Sequence, residues 1–350
     1  MKSKRNQYFF LMIVWFLSGS VLQSLADQRG TAELRICSQN LHNFKVFERK
    51  QYEREATKLK ALVERMTTAQ CDVIGVQEVG SPSYRLALKN LEALASQLQK
   101  TSGDSYKAVV AESIRSPITV GFLVREKAAT ITGTIDYSKQ VLPKLSVLGK
   151  PHTGNRGPLL LRLKVPGKNQ KPSRPVSLIT IHFKSRHDGF KDRSGTNFET
   201  LRMEMAEGVR QLAENEVKNL DSSGIVLILG DRNSEEDSAA AQILTGKLLL
   251  SDFQSPQHCL LTRDQDANCN PRIDRTPKFV PIFAEKKKRI SGSGFGSIRY
   301  NGRVTLIDEI LIEAADRDLF TGQDRQLSGD FIGIFGKGSD HKLLVSELNW

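Results

Sequence analysis

Cysteine and long apolar runs are both scarce in this chain. Its 350 residues include four cysteines, Cys37, Cys71, Cys259 and Cys269, and none has the spacing of a zinc site. The one extended apolar run, Tyr8 to Leu17, is ten residues long, short of the roughly 20 that span a bilayer as a helix. There is no nucleophile elbow and no phosphatase cysteine loop, which argues against a covalent enzyme intermediate. No internal repeat and no interdomain linker is visible. The loops are polar, and Phe295 in Ser293-Gly294-Phe295-Gly296 is a lone aromatic, so no long apolar hairpin suited to entering a membrane is present. Asp264 to Asn268 is rich in oxygen donors but lacks the glycine and distal glutamate of an EF-hand loop.

What the chain does have begins with an export signal. Lys2, Lys4 and Arg5 precede the apolar run, and Ser24-Leu25-Ala26 ends it with small residues placed for cleavage before Asp27. Residues 1–26 are therefore expected to be a signal peptide and 27–350 a single domain, secreted or periplasmic, with no stable membrane insertion after cleavage. The net charge of +12 less the three positive charges of the signal leaves +9. A surface this basic draws polyanions: nucleic acid, anionic headgroups or inositol phosphates. An even number of cysteines in an exported chain permits disulfides. Cys259 and Cys269 share one polar stretch and are the favoured bridge; Cys37 and Cys71, near core strands, are left as buried thiols or a second bridge.

Periodicity places three amphipathic helices. Tyr52, Ala56, Leu59, Leu62 and Met66 mark one face within Glu48 to Ala69; Leu88, Leu91, Ala95 and Leu98 do so within Tyr84 to Gln99. Phe198, Leu201, Met205, Val209 and Leu212 do the same within Phe198 to Ala213. Strand-like runs largely follow one another directly, with Lys164 to Pro175 as a hairpin loop, Val304 to Ile312 as one strand, and Glu285 to Gly302 as a basic, Gly/Ser-rich loop. This grouping predicts mixed sheets covered by helices rather than an alternating parallel barrel.

The chemistry lies at the ends of apolar runs. Asn40 follows Leu34 to Ser38, Glu78 follows Val73 to Gln77, His182 follows Ile179 to Ile181, Gly230-Asp231-Arg232-Asn233 follows Ile225 to Leu229, and Asp340-His341 leads into Leu343 to Val345. Carboxylates, carboxamides and imidazoles at one set of strand ends can converge although they are scattered along the chain. Hard oxygen ligands beside proton-transfer groups suit metal-assisted cleavage of a phosphoester. Alternation in an extended segment would turn Asp231 and Asn233 to the same side, and likewise His182 and Lys184. Asp231 could then orient or deprotonate water while Asn233 donates to an oxyanion. The other four histidines have no such context and read as surface or loop residues. Lys286-Lys287-Lys288-Arg289, with Arg299, Tyr300 and Arg303, is either a solvated run or an extension of a nucleic-acid track.

These motifs, in this order from Leu34 to Trp350, resemble the endonuclease/exonuclease/phosphatase superfamily, which includes pancreatic-type deoxyribonucleases, neutral sphingomyelinases and inositol polyphosphate phosphatases. The His182-Phe183-Lys184-Ser185 wording is closest to that of its secreted bacterial nucleases. The resemblance implies a four-layer α/β sandwich of two mixed sheets packed face to face, helices outside and the active site at one end. It implies that Glu78 is the main magnesium ligand (manganese can substitute), with Asn40 and Asp340 helping to position the ion. It implies that Asp308 orients His341, that His182 meets the scissile phosphate from the other side, and that Arg156, in Asn155-Arg156-Gly157-Pro158, approaches the phosphate beside Lys184. Which histidine is acid and which base stays open. Relatives often carry an apolar or aromatic residue where Arg232 stands. The expected function is a metal-dependent phosphodiesterase, foremost a monomeric deoxyribonuclease of little sequence preference. Sphingomyelinase or inositol-phosphate phosphatase activity is the alternative, and a catalytically silent binding protein the second.

Overall fold

The computed structural model describes residues 33–46, 52–80, 83–113, 116–145, 152–168, 170–186, 191–192, 196–220, 223–253, 275–290, 294–321 and 326–350. The expected signal peptide, the Cys259–Cys269 bridge and the Asp264 to Asn268 segment lie outside them. In chain order the strands are β1 (Leu34–Phe44), β2 (Val73–Gly80), β3 (Tyr106–Val110), β4 (Ile118–Arg125), β5 (Thr130–Asp136), β6 (Leu159–Val165), β7 (Arg174–His182), β8 (Ile225–Asp231), β9 (Phe279–Pro281), β10 (Ile298–Tyr300), β11 (Arg303–Thr305), β12 (Asp308–Glu313), β13 (Asp330–Ile332) and β14 (Leu343–Leu348). The helices are α1 (Tyr52–Thr68), α2 (Tyr84–Ser102), α3 (Glu199–Asn219), α4 (Ala239–Leu244) and α5 (Ile282–Lys287).

Two six-stranded sheets run in the orders β13-β14-β1-β2-β4-β3 and β5-β6-β7-β8-β12-β9. Within each sheet a single pair is parallel, β1 with β2 and β7 with β8, and the other neighbours are antiparallel. A parallel pair needs a long crossover, and α1 and α3 supply the two. The molecule is thus built around two facing β-α-β units. Three apolar clusters show the layering. One lies between the sheets (Phe122, Leu161, Leu227, Ile310, Leu344), one binds α1 and α2 to the first sheet (Leu62, Met66, Leu91, Ile74), and one binds α3 and α4 to the second (Met203, Val209, Ile243, Ile228). Three interfaces make four layers, as the motifs imply.

Burial explains the strand sequences. β8 is buried along its whole length and reads as an unbroken apolar run, whereas the edge strand β5 alternates exposed and half-buried positions. Space is short both between and within the sheets: a Cβ on Gly75 would lie 2.6 Å from Leu229 Cδ1 across the sheet interface, and one on Gly230, at φ 137°, would lie 2.2 Å from the carbonyl oxygen of Ile181 on the neighbouring strand. Cys37 and Cys71, left open above, form a buried disulfide with a Cα–Cα distance of 5.9 Å. It ties together the ends of the β1-α1-β2 crossover, a cross-link that stabilises by about 4 kcal/mol in the chain-entropy view.

Two stretches differ from expectation. The single strand expected over Val304 to Ile312 is broken at Leu306 and Ile307, because β11 folds back on β10 as a hairpin while β12 joins the second sheet. The loop expected over Glu285 to Gly302 contains the end of α5 and all of β10. Among the described residues no helix is long and apolar enough to cross a membrane.

Candidate active site

The parallel strands of each β-α-β unit end at the same edge of the sandwich, and they deliver Asn40 and Glu78 from the first sheet and His182 and Asp231 from the second. Register does the alignment: Asn40 pairs with Gln77, and His182 pairs with Asp231. The antiparallel strand β12 begins where β8 ends, so Asp308 pairs with Asp231. His341 comes from the opposite sheet, just ahead of β14. Beneath this edge Gln77 donates to Ser38 Oγ (3.4 Å) and Thr180 Oγ1 (3.2 Å), joining the two sheets.

Asp231 is the buried centre. Its Oδ2 accepts from Asn40 Nδ2 at 3.0 Å, and lies 3.6 Å from His182 Nε2 and 4.0 Å from His341 Nε2. Burial and the nearby Asp308 push its carboxyl up to about 7. The same Asn40 amide donates to Glu78 Oε1 at 3.1 Å, and Asn40 Oδ1 accepts from the His42 backbone N–H at 2.8 Å. Asn40 therefore spaces the two carboxylates. Glu78 adopts φ 58°, an uncommon left-handed conformation for a residue with a side chain. Its carboxylate stands 3.7 Å from His182 Nε2.

The two imidazoles differ in charge. His341 Nδ1 bonds Asp308 Oδ2 at 2.6 Å. Burial alone would lower its pKa, but Asp308, then Asp231 and Asp340, push it up to about 10. His182 is held well below the ordinary histidine value by burial, and further by Arg156, His341 and Lys184. Its Nδ1 is buried without a hydrogen-bond partner among the described residues. At neutral pH His341 is an imidazolium and His182 a neutral ring.

The remaining expected residues are placed as follows. Arg156 donates to the carbonyl oxygens of His182 (3.3 Å) and Phe183 (2.6 Å), close enough to feel Glu78 and Asp231. Lys184 follows the end of β7 and packs its ammonium 4.4 Å from the Phe198 ring centre. Asn233 does not continue the alternation: at φ 50° its N–H donates to Asp231 Oδ1 (2.8 Å) in an Asx turn, and its Nδ2 donates to the Phe183 carbonyl (3.1 Å). Asp340 lies at the rim, its side chain 43% exposed, with Oδ1 2.7 Å from His42 Nδ1 and 3.9 Å from His341 Nε2. Burial would raise Asp340, but the bond from His42 and the charge of His341 hold it near 2.

Glu78 Oε1, Asp231 Oδ2 and His182 Nε2 lie within 4.8 Å of one another, as do donor atoms of Asp231, Asp308 and His341. Asp308 and His341 are committed to each other, so the first group is the better fit for a metal. Its two carboxylates, with Asp340 across the rim, supply the oxygens that suit a hard divalent cation, while Asn40 turns its Nδ2 donor between them and holds them in place.

Several residues escape a reading of the sequence. His42 and His152, read as surface or loop residues, have side chains 45% and 53% exposed, and each bonds a carboxylate, Asp340 and Glu204 respectively, at 2.7 Å. Arg65, on the predicted helix, is buried and donates to the carbonyls of His341 (2.7 Å), Ile334 (3.1 Å) and Lys337 (2.6 Å). Its place beside the apolar stripe positions Leu62 and Met66 is the one signal available. Arg232, 1% exposed, donates to the carbonyls of Ser234 (2.7 Å) and Leu306 (3.2 Å) and lies 3.6 Å from the buried Glu309 carboxylate. Glu309 in turn accepts from the N–H groups of Phe283, Ala284 and Ile310. This charge pair occupies the interior directly behind Asp231 and Asp308. The lysine run is largely paired: Lys286 with Asp330, Lys287 with Glu236 and Lys288 with Glu285.

No family model and no curated protein sequence matches the chain. Solved structures do. The human Nocturnin catalytic domain with bound sulfate has a TM-score of 0.51 at 12% identity, covering 90% of this chain and 93% of that one. A truncated TDP2 from Caenorhabditis elegans gives 0.51 at 13% identity, covering 91% and 97%. A humanized D. rerio TDP2 with 14 mutations gives 0.50 at 15% identity, covering 91% and 99%. Identities this low speak for the fold, and they do so across nearly the whole chain. The chain shares its two-sheet fold with these Nocturnin and TDP2 structures over nearly its whole length.

Proposed function

We propose that this chain is an exported, monomeric, divalent-metal-dependent phosphodiesterase that cuts nucleic acid, foremost DNA, with little sequence preference. The observation that carries the reading is Asp231, a buried carboxylate raised to about 7, set between a neutral and a charged imidazole and beside Glu78. A general base acts best when its pKa lies near the working pH. Asp231 takes a proton from water as the water oxygen bonds to phosphorus. His341, charged and held by Asp308, gives a proton to the leaving oxygen as the opposite P–O bond breaks. His182, neutral, donates from Nε2 to a phosphoryl oxygen, and Asn40 keeps Asp231 and Glu78 apart. Glu78 and Asp340 are the residues that would hold the ion, with Asp231 adjoining and Asn40 positioning the carboxylates of Glu78 and Asp231. When bound, a magnesium or manganese ion supplies Lewis-acid polarisation of the phosphoryl oxygen. Water attacks directly, without a covalent enzyme intermediate.

The substrate reading rests on charge. A net charge of +9 without the signal segment, with Arg156 and Lys184 beside the cleft, suits the backbone of a polynucleotide and carries no base readout. The test incubates residues 27–350 with plasmid DNA, RNA, sphingomyelin and inositol phosphates, each with magnesium and with EDTA. Magnesium-dependent nicking of the plasmid that is lost in Asp231→Ala supports the reading. Clean turnover of sphingomyelin or an inositol phosphate with untouched DNA overturns it.

A further inference from the structure

We propose that the β10–β11 hairpin and the adjoining residues Ile334 and Phe335 form a platform that binds an unpaired stretch of the nucleic acid beside the scissile phosphate; this rests on the nucleic-acid reading above. The hairpin is wired to the catalytic dyad. Ile298 bridges to His341, and the Lys342 N–H donates to the Ser297 carbonyl at 2.8 Å. Ser297 Oγ accepts from the N–H groups of Ile307 (3.2 Å) and Asp308 (3.1 Å). A two-residue turn closes it, with Asn301 at φ 48° and Gly302 at φ 78°, a geometry that holds hairpins in register. Arg65 fixes the neighbouring segment through the Ile334 and Lys337 carbonyls. A surface ordered in advance loses little entropy when a ligand arrives.

Its chemistry is aromatic and cationic. Tyr300 is 67% exposed and Ile334 71% exposed. The Arg299 guanidinium lies 5.2 Å, and the Lys342 ammonium 4.5 Å, from the centre of the same Phe335 ring. Among the described residues no carboxylate pairs with Arg299, Arg303 or Lys342, whereas Lys286, Lys287 and Lys288 each have one. Cations left without acidic partners, two of them over the half-buried Phe335 ring, on a hairpin that also presents the exposed Tyr300 ring, call for an anion that also has flat faces. Unpaired nucleotides supply both, with bases to stack on Tyr300 and phosphates for Arg299, Arg303 and Lys342. In a duplex the base faces are already stacked on each other, so the platform selects single strands, whatever their sequence.

The test uses the metal-free mature chain and fluorescence anisotropy with a fluorescent 12-mer single strand, the matching duplex, and phosphatidylserine-containing vesicles. Losing one stacked base lowers affinity on the order of 5- to 150-fold, so Tyr300→Ala is expected to weaken single-strand binding by that factor. Tyr300→Phe should bind as the wild type does. Arg299→Ala should flatten the dependence of log affinity on log salt by about 0.7. Duplex affinity should stay unchanged in both Tyr300 variants, and turnover of bis(p-nitrophenyl) phosphate should stay unchanged in all three. Single-strand binding that is indifferent to Tyr300→Ala overturns the platform alone, as does vesicle binding that depends on Tyr300 while single-strand binding does not. If the wild type binds no nucleic acid yet hydrolyses the small diester, both the platform and the nucleic-acid reading fail.

Discussion

His182 and His341 are equally buried and flank the same aspartate, yet their pKa values are pushed in opposite directions. The difference comes from what stands behind each ring. Behind His341 is Asp308, bonded at 2.6 Å; around His182, burial and the cations Arg156, Lys184 and His341 itself outweigh the carboxylates of Glu78 and Asp231, which stand off at 3.7 and 3.6 Å. One strand register decides this. β12 starts opposite the end of β8, so a carboxylate is delivered to the His341 side, while the loop before β6 delivers a guanidinium to the His182 side. Residue type does not assign a proton in a buried site; the neighbouring elements do.

The largest effect that should break this comparison is loss of its shared centre. Asp231→Ala is expected to lower turnover by about 10²- to 10⁴-fold, the usual contribution of a positioned base, and steady-state assays on a small phosphodiester check it. Arg232→Met should come next in severity. It strands Glu309 in the interior, and breaking a buried pair costs about 3–5 kcal/mol, readable by urea denaturation. Arg232→Met combined with Glu309→Leu should recover part of that loss.

Asp308→Asn sharpens the comparison, because it makes the surroundings of His341 resemble those of His182. In metal-free protein the folded pKa of His341, about 10, exceeds its unfolded value of roughly 6.5. Its stabilisation is therefore complete below about pH 6.5 and lost as pH rises toward 10. Asp308→Asn should remove that alkaline decline from stability measured between pH 6 and 10. The smallest effect is expected for Lys286→Ala, Lys287→Ala and Lys288→Ala, whose surface pairs each contribute about 0–1 kcal/mol; unchanged melting and unchanged turnover are the expected results.

Much of this arrangement is legible in the sequence because the candidate site residues stand where a buried apolar run changes abruptly to Asn40, Glu78, His182 or Asp231. The helices show for a related reason, since an apolar stripe with a period of 3.6 has to face a sheet. What cannot be read is whatever depends on elements far apart in the chain. The partner of Arg232 is invisible until α5 and β12 come together around it and bring Glu309. Lys286 and Lys287, either solvated or part of a nucleic-acid track on sequence alone, meet Asp330 and Glu236 on folding. The alternation that would turn Asn233 beside Asp231 fails because the backbone leaves the extended region there. His42 meets Asp340 only because β1 and the segment before β14 share a sheet edge.

The central claim is that one imidazole is charged and the other neutral about a common aspartate. It is tested most directly by following the ring signals of the metal-free protein by proton–nitrogen NMR across pH 5 to 9, with His182→Gln and His341→Gln assigning them. The account predicts that His341 stays protonated throughout while His182 stays neutral. Two rings titrating together near the ordinary histidine value would contradict it.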